Sequence, residues 1–162
     1  MARQRRRERT ALGPPHSPES GERVPAWVPR RAGERGALDA GALVRMTDLS
    51  QALENLPPRL LVRTCRRFPL TQFDDQLTAF DPDTLAQLAD LGVQLVGIDS
   101  ASIDPADSKT LPSHQVIRQR GLRVLENLFL DDVPEGDYEL IALPLKLMTA
   151  DASPVRAVLR EL

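Results

Sequence analysis

The sequence has few of the residues on which catalytic and structural sites are commonly built. Its 162 residues include one cysteine, Cys65, one tryptophan and two histidines, and aromatic residues make up 4%. A single cysteine excludes an internal disulfide framework and is typical of a reducing compartment, so we expect a cytoplasmic protein. No apolar run approaches the roughly 18–20 residues of a membrane span, and no apolar segment follows the arginine-rich start. We therefore expect neither a transmembrane segment nor a secretory signal.

The small net charge of −2 conceals two segments of opposite charge. Residues 1–40 contain nine arginines against five acidic residues, together with five of the fourteen prolines. Residues 41–162 contain twelve basic and eighteen acidic residues, a net charge of −6. Because residues 1–40 also lack helical or strand periodicity, we expect them to be disordered. The acidic remainder argues against a nucleic-acid binder that uses the arginines between Arg3 and Arg9.

From residue 41 onward, short apolar runs alternate with segments of helical character. The predicted strands cover residues 60–62, 93–98, 122–130, 138–145 and 155–159. The predicted helices begin near Thr47 or Asp48, at Asp81-Pro82-Asp83 and near Ser113, and end at Pro57-Pro58, Gly92 and Gly121. The second helix should bury an apolar stripe, formed by Leu85, Leu88 and Leu91. Strands that alternate with helices indicate an α/β domain.

His114 and Glu126 form the strongest candidate site in the sequence. His114 opens the helix predicted near residue 113, and Glu126, twelve residues later, is an isolated carboxylate in an apolar run. Such a carboxylate is costly to bury unless it is paired or binds a cation, and imidazole and carboxylate are both zinc ligands. The spacing does not match one face of a helix, so the two side chains would have to meet from separate elements. A capping histidine and an exposed glutamate are the alternative.

The remaining chemistry-bearing residues favour ordinary roles. His16 lies in a polar, proline-rich context, and Cys65 follows an apolar strand as a small core residue would. Lys109 lies in the loop before His114, where it could face an anionic group, although a solvated lysine is the default. No G-x-G-x-x-G, Walker or G-x-S-x-G sequence occurs, so a nucleotide cofactor and a serine nucleophile are unsupported.

Several longer segments carry a resemblance to a known family. They are PPRLLVRT (57–64), GVQLVGID (92–99), SIDP (102–105), SK (108–109), LEN (125–127), LDDVPEGDYEL (130–140), IALPLK (141–146) and DASPVRAVL (151–159). With His114 between them, these segments resemble the C-terminal part of bacterial kynurenine formamidase (arylformamidase), a metal-dependent hydrolase of the cyclase family. The resemblance covers residues 41–162.

The resemblance implies a fold, a cofactor and a reaction. It implies that residues 41–162 are the C-terminal part of a swivelling β/β/α-like α/β domain with a mixed sheet. It also implies that His114 and Glu126 are metal ligands, since the family has a histidine and a glutamate at this spacing among the ligands of a zinc pair. The implied reaction is hydrolysis of N-formyl-L-kynurenine to L-kynurenine and formate in tryptophan breakdown. The family further implies a cytoplasmic homodimer.

The chain departs from the family pattern upstream of the matched segments. The family's segment His-x-Gly-x-His-x-Asp-x-Pro-x-x-His supplies the other metal ligands and the general acid/base histidine, and this sequence contains no His-x-x-x-His. No catalytic residue is therefore assigned, and Trp27 lies too near His114 to match the family's substrate tryptophan. We expect a truncated or frameshifted product, or a short paralogue with a new tail. A non-catalytic remnant or interaction module is the alternative to an enzyme.

Overall fold

The structure is a computed structural model that describes residues 41–49, 56–65 and 67–162. The disorder predicted for residues 1–40 lies outside the described residues. The helix predicted to begin near Thr47 or Asp48 and to carry Leu49, Ala52 and Leu53 is described only at its start, as a 3-10 turn with Leu49 buried. The described elements follow in the order β1 (Leu43–Val44), a 3-10 helix (Met46–Leu49), β2 (Arg59–Val62), β3 (Ala79–Phe80), α1 (Pro82–Asp90), β4 (Leu95–Ile98), α2 (Pro112–Arg120), β5 (Arg123–Leu125), β6 (Tyr138–Pro144) and β7 (Val155–Glu161).

A three-stranded parallel sheet forms the centre of the fold. Its order is β2-β4-β5, and its register pairs Leu60 with Val96 and Val96 with Val124. The short apolar strands suit a parallel sheet that is covered on both faces. Strand β1 pairs in parallel with β3 in a second sheet, and β6 pairs antiparallel with β7 in a third. The α/β class is confirmed, and both strand directions occur, in separate sheets of the described part.

Two apolar clusters lie on opposite sides of β2, because its successive side chains point to opposite faces. Leu60 and Val62 belong to the first cluster, which α1 and the buried side chains of the neighbouring strands complete. Leu61 belongs to the second, together with Leu128, Leu130 and Tyr138. The inward side chains of the β6–β7 hairpin, among them those of Leu140, Ala157 and Leu159, pack against this second cluster.

Helix α1 begins and ends close to where its sequence predicts. The Asp81 side chain accepts a hydrogen bond from Asp83 N at 3.4 Å, and Pro82 occupies the first turn. Leu85 and Leu88 are buried as predicted. The prediction that Leu91 belongs to the buried stripe is wrong, because Leu91 follows the last residue of the helix and is 59% exposed. Gly92, with φ +95°, is the predicted stop.

The strand predicted over residues 122–130 is much shorter in the structure. Strand β5 covers only Arg123–Leu125, because Asn127 has a left-handed backbone with φ +62° that breaks the extended conformation. The backbone then joins the end of β4, with Asn127 N bonded to Ser100 O at 2.7 Å and Leu128 N to Ile98 O at 3.1 Å. This change of direction places Glu126 at the edge of the central sheet.

The hairpin and the second helix agree with their predictions. Strand β6 ends at Pro144, which pairs with Val155 at the end of the hairpin next to its connecting loop. Helix α2 ends at Gly121, whose φ of +66° is a left-handed stop. Among the described residues, no helix is both long and apolar enough to cross a membrane.

Candidate metal site and adjoining cavity

The candidate site lies at the carboxyl edge of the central parallel sheet. Thr64 and Cys65 come shortly after β2, Asp99 directly after β4, and Glu126 directly after β5. The carboxyl ends of parallel strands meet at one edge of a sheet, which is where open α/β sheets bind ligands. Helix α2 adds His114 from its first turn.

His114 and Glu126 meet from separate elements, as their spacing requires. Their closest atoms, His114 Nε2 and Glu126 Oε1, are 3.6 Å apart, and both side chains are partly exposed. Glu126 Oε1 also accepts a hydrogen bond from Ile103 N at 2.8 Å. The glutamate is therefore held by the loop after β4.

A buried aspartate fixes the imidazole. Asp104 Oδ2 lies 2.7 Å from His114 Nδ1 and accepts a hydrogen bond from His114 N at 3.0 Å, and Asp104 Oδ1 accepts one from Ser113 N at 2.8 Å. Burial opposes ionisation of Asp104, but the bonds from the His114 side chain and from the two backbone groups outweigh it and lower the pKa of this carboxyl. Asp104 thus stays ionised beside the imidazole.

Asp104 is a site residue that composition and motifs do not identify, although a local signal for it exists. Helix α2 follows Leu111, which has no side-chain acceptor for the first N–H groups of the helix. Asp104, seven residues earlier in the segment SIDP, supplies that acceptor from outside the helix. A helix start that lacks its own capping residue, downstream of an acidic loop, is therefore a pointer to such a carboxylate.

One contact of this cluster, between His114 Nε2 and Glu126 Oε1, is not closed by a hydrogen bond. In the tautomer that carries its hydrogen on Nδ1, the imidazole donates to ionised Asp104 and leaves a lone pair on Nε2. That lone pair and the Glu126 carboxylate are then both acceptors, and 3.6 Å is too long for a hydrogen bond. A carboxylate that orients the far nitrogen of a histidine is the usual outer partner of a metal ligand. Within the described ranges, no group of three or more His, Cys, Asp or Glu side chains could hold a metal.

Asp99 joins the ends of β2 and β4. Its Oδ1 accepts bonds from Thr64 N at 2.8 Å and Thr64 Oγ1 at 2.7 Å, and its Oδ2 accepts one from Cys65 N at 2.9 Å. Burial raises the pKa of Asp99, although these three bonds favour its ionised form. Burial, followed by the nearby Asp99 carboxylate, also raises the pKa of the Cys65 thiol. A protonated thiol is a poor nucleophile. The prediction that Cys65 is a core residue is wrong, because its side chain is only partly buried and lines the cavity beside the sheet edge.

A cavity of about 340 Å³ adjoins this edge of the sheet. Most of its wall comes from residues 68–77, among them Phe68, Phe73 and Leu77, and the ends of β4 and β5 contribute Ser100 and Asn127. Asn127 directly follows Glu126, so one short segment borders both the cavity and the His114–Glu126 pair. Lys109 is exposed in its loop, and His16 and Trp27 lie outside the described residues.

The chain is similar to kynurenine formamidases of several bacteria. It is 68% identical over 128 residues to the enzyme of Paracidovorax citrulli, which covers 76% of this chain and 59% of that protein. It is 66% identical over 126 residues to that of Delftia acidovorans, covering 78% and 60%. The chain thus spans about three fifths of the length of these relatives. No protein-family model matches it.

Solved structures give a consistent comparison. A potential metal-dependent hydrolase with cyclase activity has a TM-score of 0.67 and 27% identity, covering 86% of this chain and 65% of that one. An isatin hydrolase, at 19% identity and a TM-score of 0.63, covers 83% of this chain and 58% of that one, and shows the fold alone. The resemblance carried by the sequence segments is therefore confirmed: over about three fifths of their length the chain is similar to the bacterial kynurenine formamidases, and its fold is that of cyclase-type hydrolases.

Proposed function

We propose that this chain carries part of the active site of a metal-dependent amide hydrolase that converts N-formyl-L-kynurenine to L-kynurenine and formate. The reaction comes from the kynurenine formamidases to which the chain is 68% and 66% identical. The observation that supports it in this chain is the gap of 3.6 Å between His114 Nε2 and Glu126 Oε1, with Nδ1 of the same imidazole bonded to Asp104.

The residues present fit two positions of a zinc site. Imidazole nitrogen and carboxylate oxygen are ordinary zinc ligands, and Asp104 supplies the outer carboxylate that orients a ligating histidine. His114 and Glu126 would hold the metal. When bound, zinc lowers the pKa of a bound water to about 7 and polarises a carbonyl oxygen.

The chain's own residues hold this half of the site in place. Asp104 fixes the imidazole plane, and the Ile103 N–H group holds Glu126 Oε1 at 2.8 Å. Catalytic zinc sites typically use three protein ligands. Because the sequence has no His-x-x-x-His segment, we propose that the chain alone binds metal weakly and has little or no formamidase activity.

Zinc titration against a competing chelator tests the two ligands. We expect His114→Ala and Glu126→Gln each to lower zinc affinity by more than about tenfold, the loss expected even for an outer partner. Gln115→Ala is the matched control, because Gln115 adjoins His114 but is exposed and bonded to Thr110 O. Zinc affinity that neither ligand substitution changes would contradict the metal site.

Kinetics test the reaction separately. The purified 162-residue chain, supplied with zinc and N-formyl-L-kynurenine, should release formate at close to the uncatalysed rate. Any residual hydrolysis should disappear in His114→Ala. Robust hydrolysis by the purified chain would overturn the proposal of low activity, and hydrolysis that survives in His114→Ala would overturn the site.

The assembly and the location of the protein are part of the same proposal. The family resemblance implies a cytoplasmic homodimer, and the single cysteine is typical of a reducing compartment. Light scattering coupled to size exclusion tests the dimer: a mass of about 36 kDa, twice the 17.9 kDa of one chain, is expected. A monomer at micromolar concentration would exclude it.

A further inference from the structure

One face of the β6–β7 hairpin is apolar and exposed. The inward side chains Leu140 and Leu159 pack against the second apolar cluster, and neighbouring residues along a strand point the other way. Ile141 and Val158, which pair across the two strands, therefore lie on the outward face, and Leu143 shares that face two residues further along β6. These three side chains are 41%, 44% and 68% exposed. We call this surface the outward face of the hairpin.

The exposed apolar side chains of the chain are concentrated in and beside this hairpin. Of the twelve large apolar residues that are exposed in the part of the chain that the structure describes, seven fall within residues 141–162. Besides the three on the outward face, they are Leu145, Leu147, Met148 and Leu162. A concentration of exposed apolar side chains in one element is typical of a surface that binds another polypeptide.

The hairpin also offers free strand edges. Within the described residues, β6 and β7 pair only with each other, so each strand has one edge without a partner strand. Strand β7 runs for seven residues and contains neither proline nor glycine, so its free edge can pair with another extended segment along its whole length. A two-stranded sheet is only marginally stable by itself. An additional strand would therefore stabilise the hairpin.

The lengths of the relatives indicate what covers this surface. The chain matches about three fifths of the kynurenine formamidases, and it covers 65% of a solved metal-dependent hydrolase at a TM-score of 0.67. These proteins therefore carry further polypeptide around the same fold. The metal site is incomplete in the same sense, because His114 and Glu126 are two ligands where catalytic zinc sites typically use three. One additional polypeptide would supply both a cover and a ligand.

We propose that the outward face and the free β7 edge dock a separate polypeptide, equivalent to the upstream two fifths of a kynurenine formamidase. This partner would add an extended strand to β7 and cover Ile141, Leu143 and Val158 with apolar side chains. The hairpin packs against Leu128, two residues after Glu126, so the docking surface and the metal-ligand segment belong to one packed unit. The choice of partner rests on the proposed function. A second copy of this chain is the alternative occupant, but it repeats the part already present.

Co-expression with the full 162-residue chain tests the docking. The probe is the unmatched upstream part of the Delftia acidovorans relative, carrying an affinity tag. We expect the tagged polypeptide to be soluble and to retain the chain in equimolar amount in the presence of chelator. A tagged polypeptide that is recovered without the chain, or that the chain does not make soluble, would overturn the proposal.

Leu143→Glu tests whether the outward face is the surface that binds. Leu143 lies opposite Arg156, so the new carboxylate has an opposite charge across the strands and the melting temperature of the free chain should not fall. Its affinity for the upstream polypeptide should fall at least about tenfold, because docking would bury a charge in place of an apolar side chain. Leu91→Glu, at a comparably exposed leucine outside the hairpin, is the matched control and should bind as the parent does.

Two results with these variants would overturn the surface assignment. The first is equal affinity of Leu143→Glu, Leu91→Glu and the parent chain for the upstream polypeptide. The second is a change of the free chain from dimer to monomer in Leu143→Glu alone, measured by light scattering, because a second copy would then be the occupant of this face.

Zinc titration of the complex distinguishes failure of this inference from failure of the proposed function. The complex should bind zinc at least about tenfold more tightly than the chain alone, because it gains protein ligands. His114→Ala should abolish that gain and leave capture by the upstream polypeptide unchanged, since His114 lies in α2 and not in the hairpin. A complex that forms without a gain in zinc affinity would contradict the metal site and leave the docking surface standing. Loss of capture in His114→Ala would overturn the docking surface.

Discussion

Asp104 Oδ2 lies 2.7 Å from His114 Nδ1, and this one contact connects the start of a helix to the chemistry of the site. The same carboxylate accepts the backbone N–H groups of Ser113 and His114, so it caps α2 and orients the imidazole together. A change at Asp104 must therefore affect both the stability of the fold and the availability of His114 Nε2.

Asp104→Asn should weaken zinc binding and destabilise the chain together. The amide keeps only one of the two acceptor oxygens and carries no charge, so we expect zinc affinity to fall about 10–100-fold and the free energy of unfolding to fall by about 1–3 kcal/mol. Chelator competition and urea unfolding measure the two effects. Asp107→Asn, in the same loop but exposed, should change neither. A variant with full zinc affinity would show that Asp104 does not orient the imidazole.

Asp99 should make the stability of the chain depend on pH in a specific direction. Because burial raises its pKa in the folded state above the unfolded value of about 3.9, the folded state takes up the proton more readily. Above the pKa of Asp99 in the folded state, the ionised carboxylate is buried and destabilises the fold. This destabilisation decreases as the pH falls through the folded-state pKa toward the unfolded-state pKa. The wild-type chain should therefore gain stability relative to Asp99→Asn as the pH falls from neutral toward 4.

Urea unfolding of both chains at several pH values measures this difference. The comparison between the wild type and Asp75→Asn is the control, since Asp75 is an exposed carboxylate in the loop after β2. The difference in the free energy of unfolding between the wild type and Asp75→Asn should stay small at every pH. A difference for Asp99 that is flat, or that reverses its sign, would contradict the raised pKa.

Local patterns in the sequence predicted most of the elements, whereas the site needed tertiary information. Asp81, Gly92 and Gly121 mark helix ends because capping and left-handed stops are decided by neighbouring residues. The limits of β5 are not predictable from the apolar run, since the chain leaves β5 to bond the end of β4 through Asn127 N and Ser100 O across the sheet edge.

The same distinction applies to the candidate site. The family resemblance and the chemical types of His114 and Glu126 predict that the two side chains lie close together. In the structure, His114 Nε2 and Glu126 Oε1 are 3.6 Å apart. Asp104 is signalled only indirectly, by a helix start without its own capping side chain, and Ser100 carries no signal, because a serine in a polar loop is ordinary. Their importance lies in burial: one is fully enclosed with three bonds, and the other is enclosed with a hydroxyl that has none in the described structure.

Gly97→Ala should destabilise the centre of the sheet. A Cβ at this position would lie 2.4 Å from Leu61 Cδ2 and 2.8 Å from Leu128 Cδ1, and both leucines are in the second apolar cluster. Overpacking of this kind costs about 1–3 kcal/mol. In Gly136→Ala the nearest atom is 3.7 Å away, so this control should change the free energy of unfolding by less than about 0.5 kcal/mol. Equal urea midpoints for the two variants would contradict the close packing at Gly97.

Leu111 and Leu91 form a matched pair that tests backbone strain at the ends of the two helices. Leu111 precedes α2 with φ +48°, a left-handed conformation that costs a non-glycine residue about 1–2 kcal/mol, whereas Leu91 follows α1 with φ −83°. Both side chains are exposed, so little packing is lost in either case. Leu111→Gly should therefore raise the free energy of unfolding by up to about 1 kcal/mol, and Leu91→Gly should lower it by about 0.5–1 kcal/mol. If thermal and urea unfolding show the same loss for both variants, the left-handed start of α2 is not a source of strain.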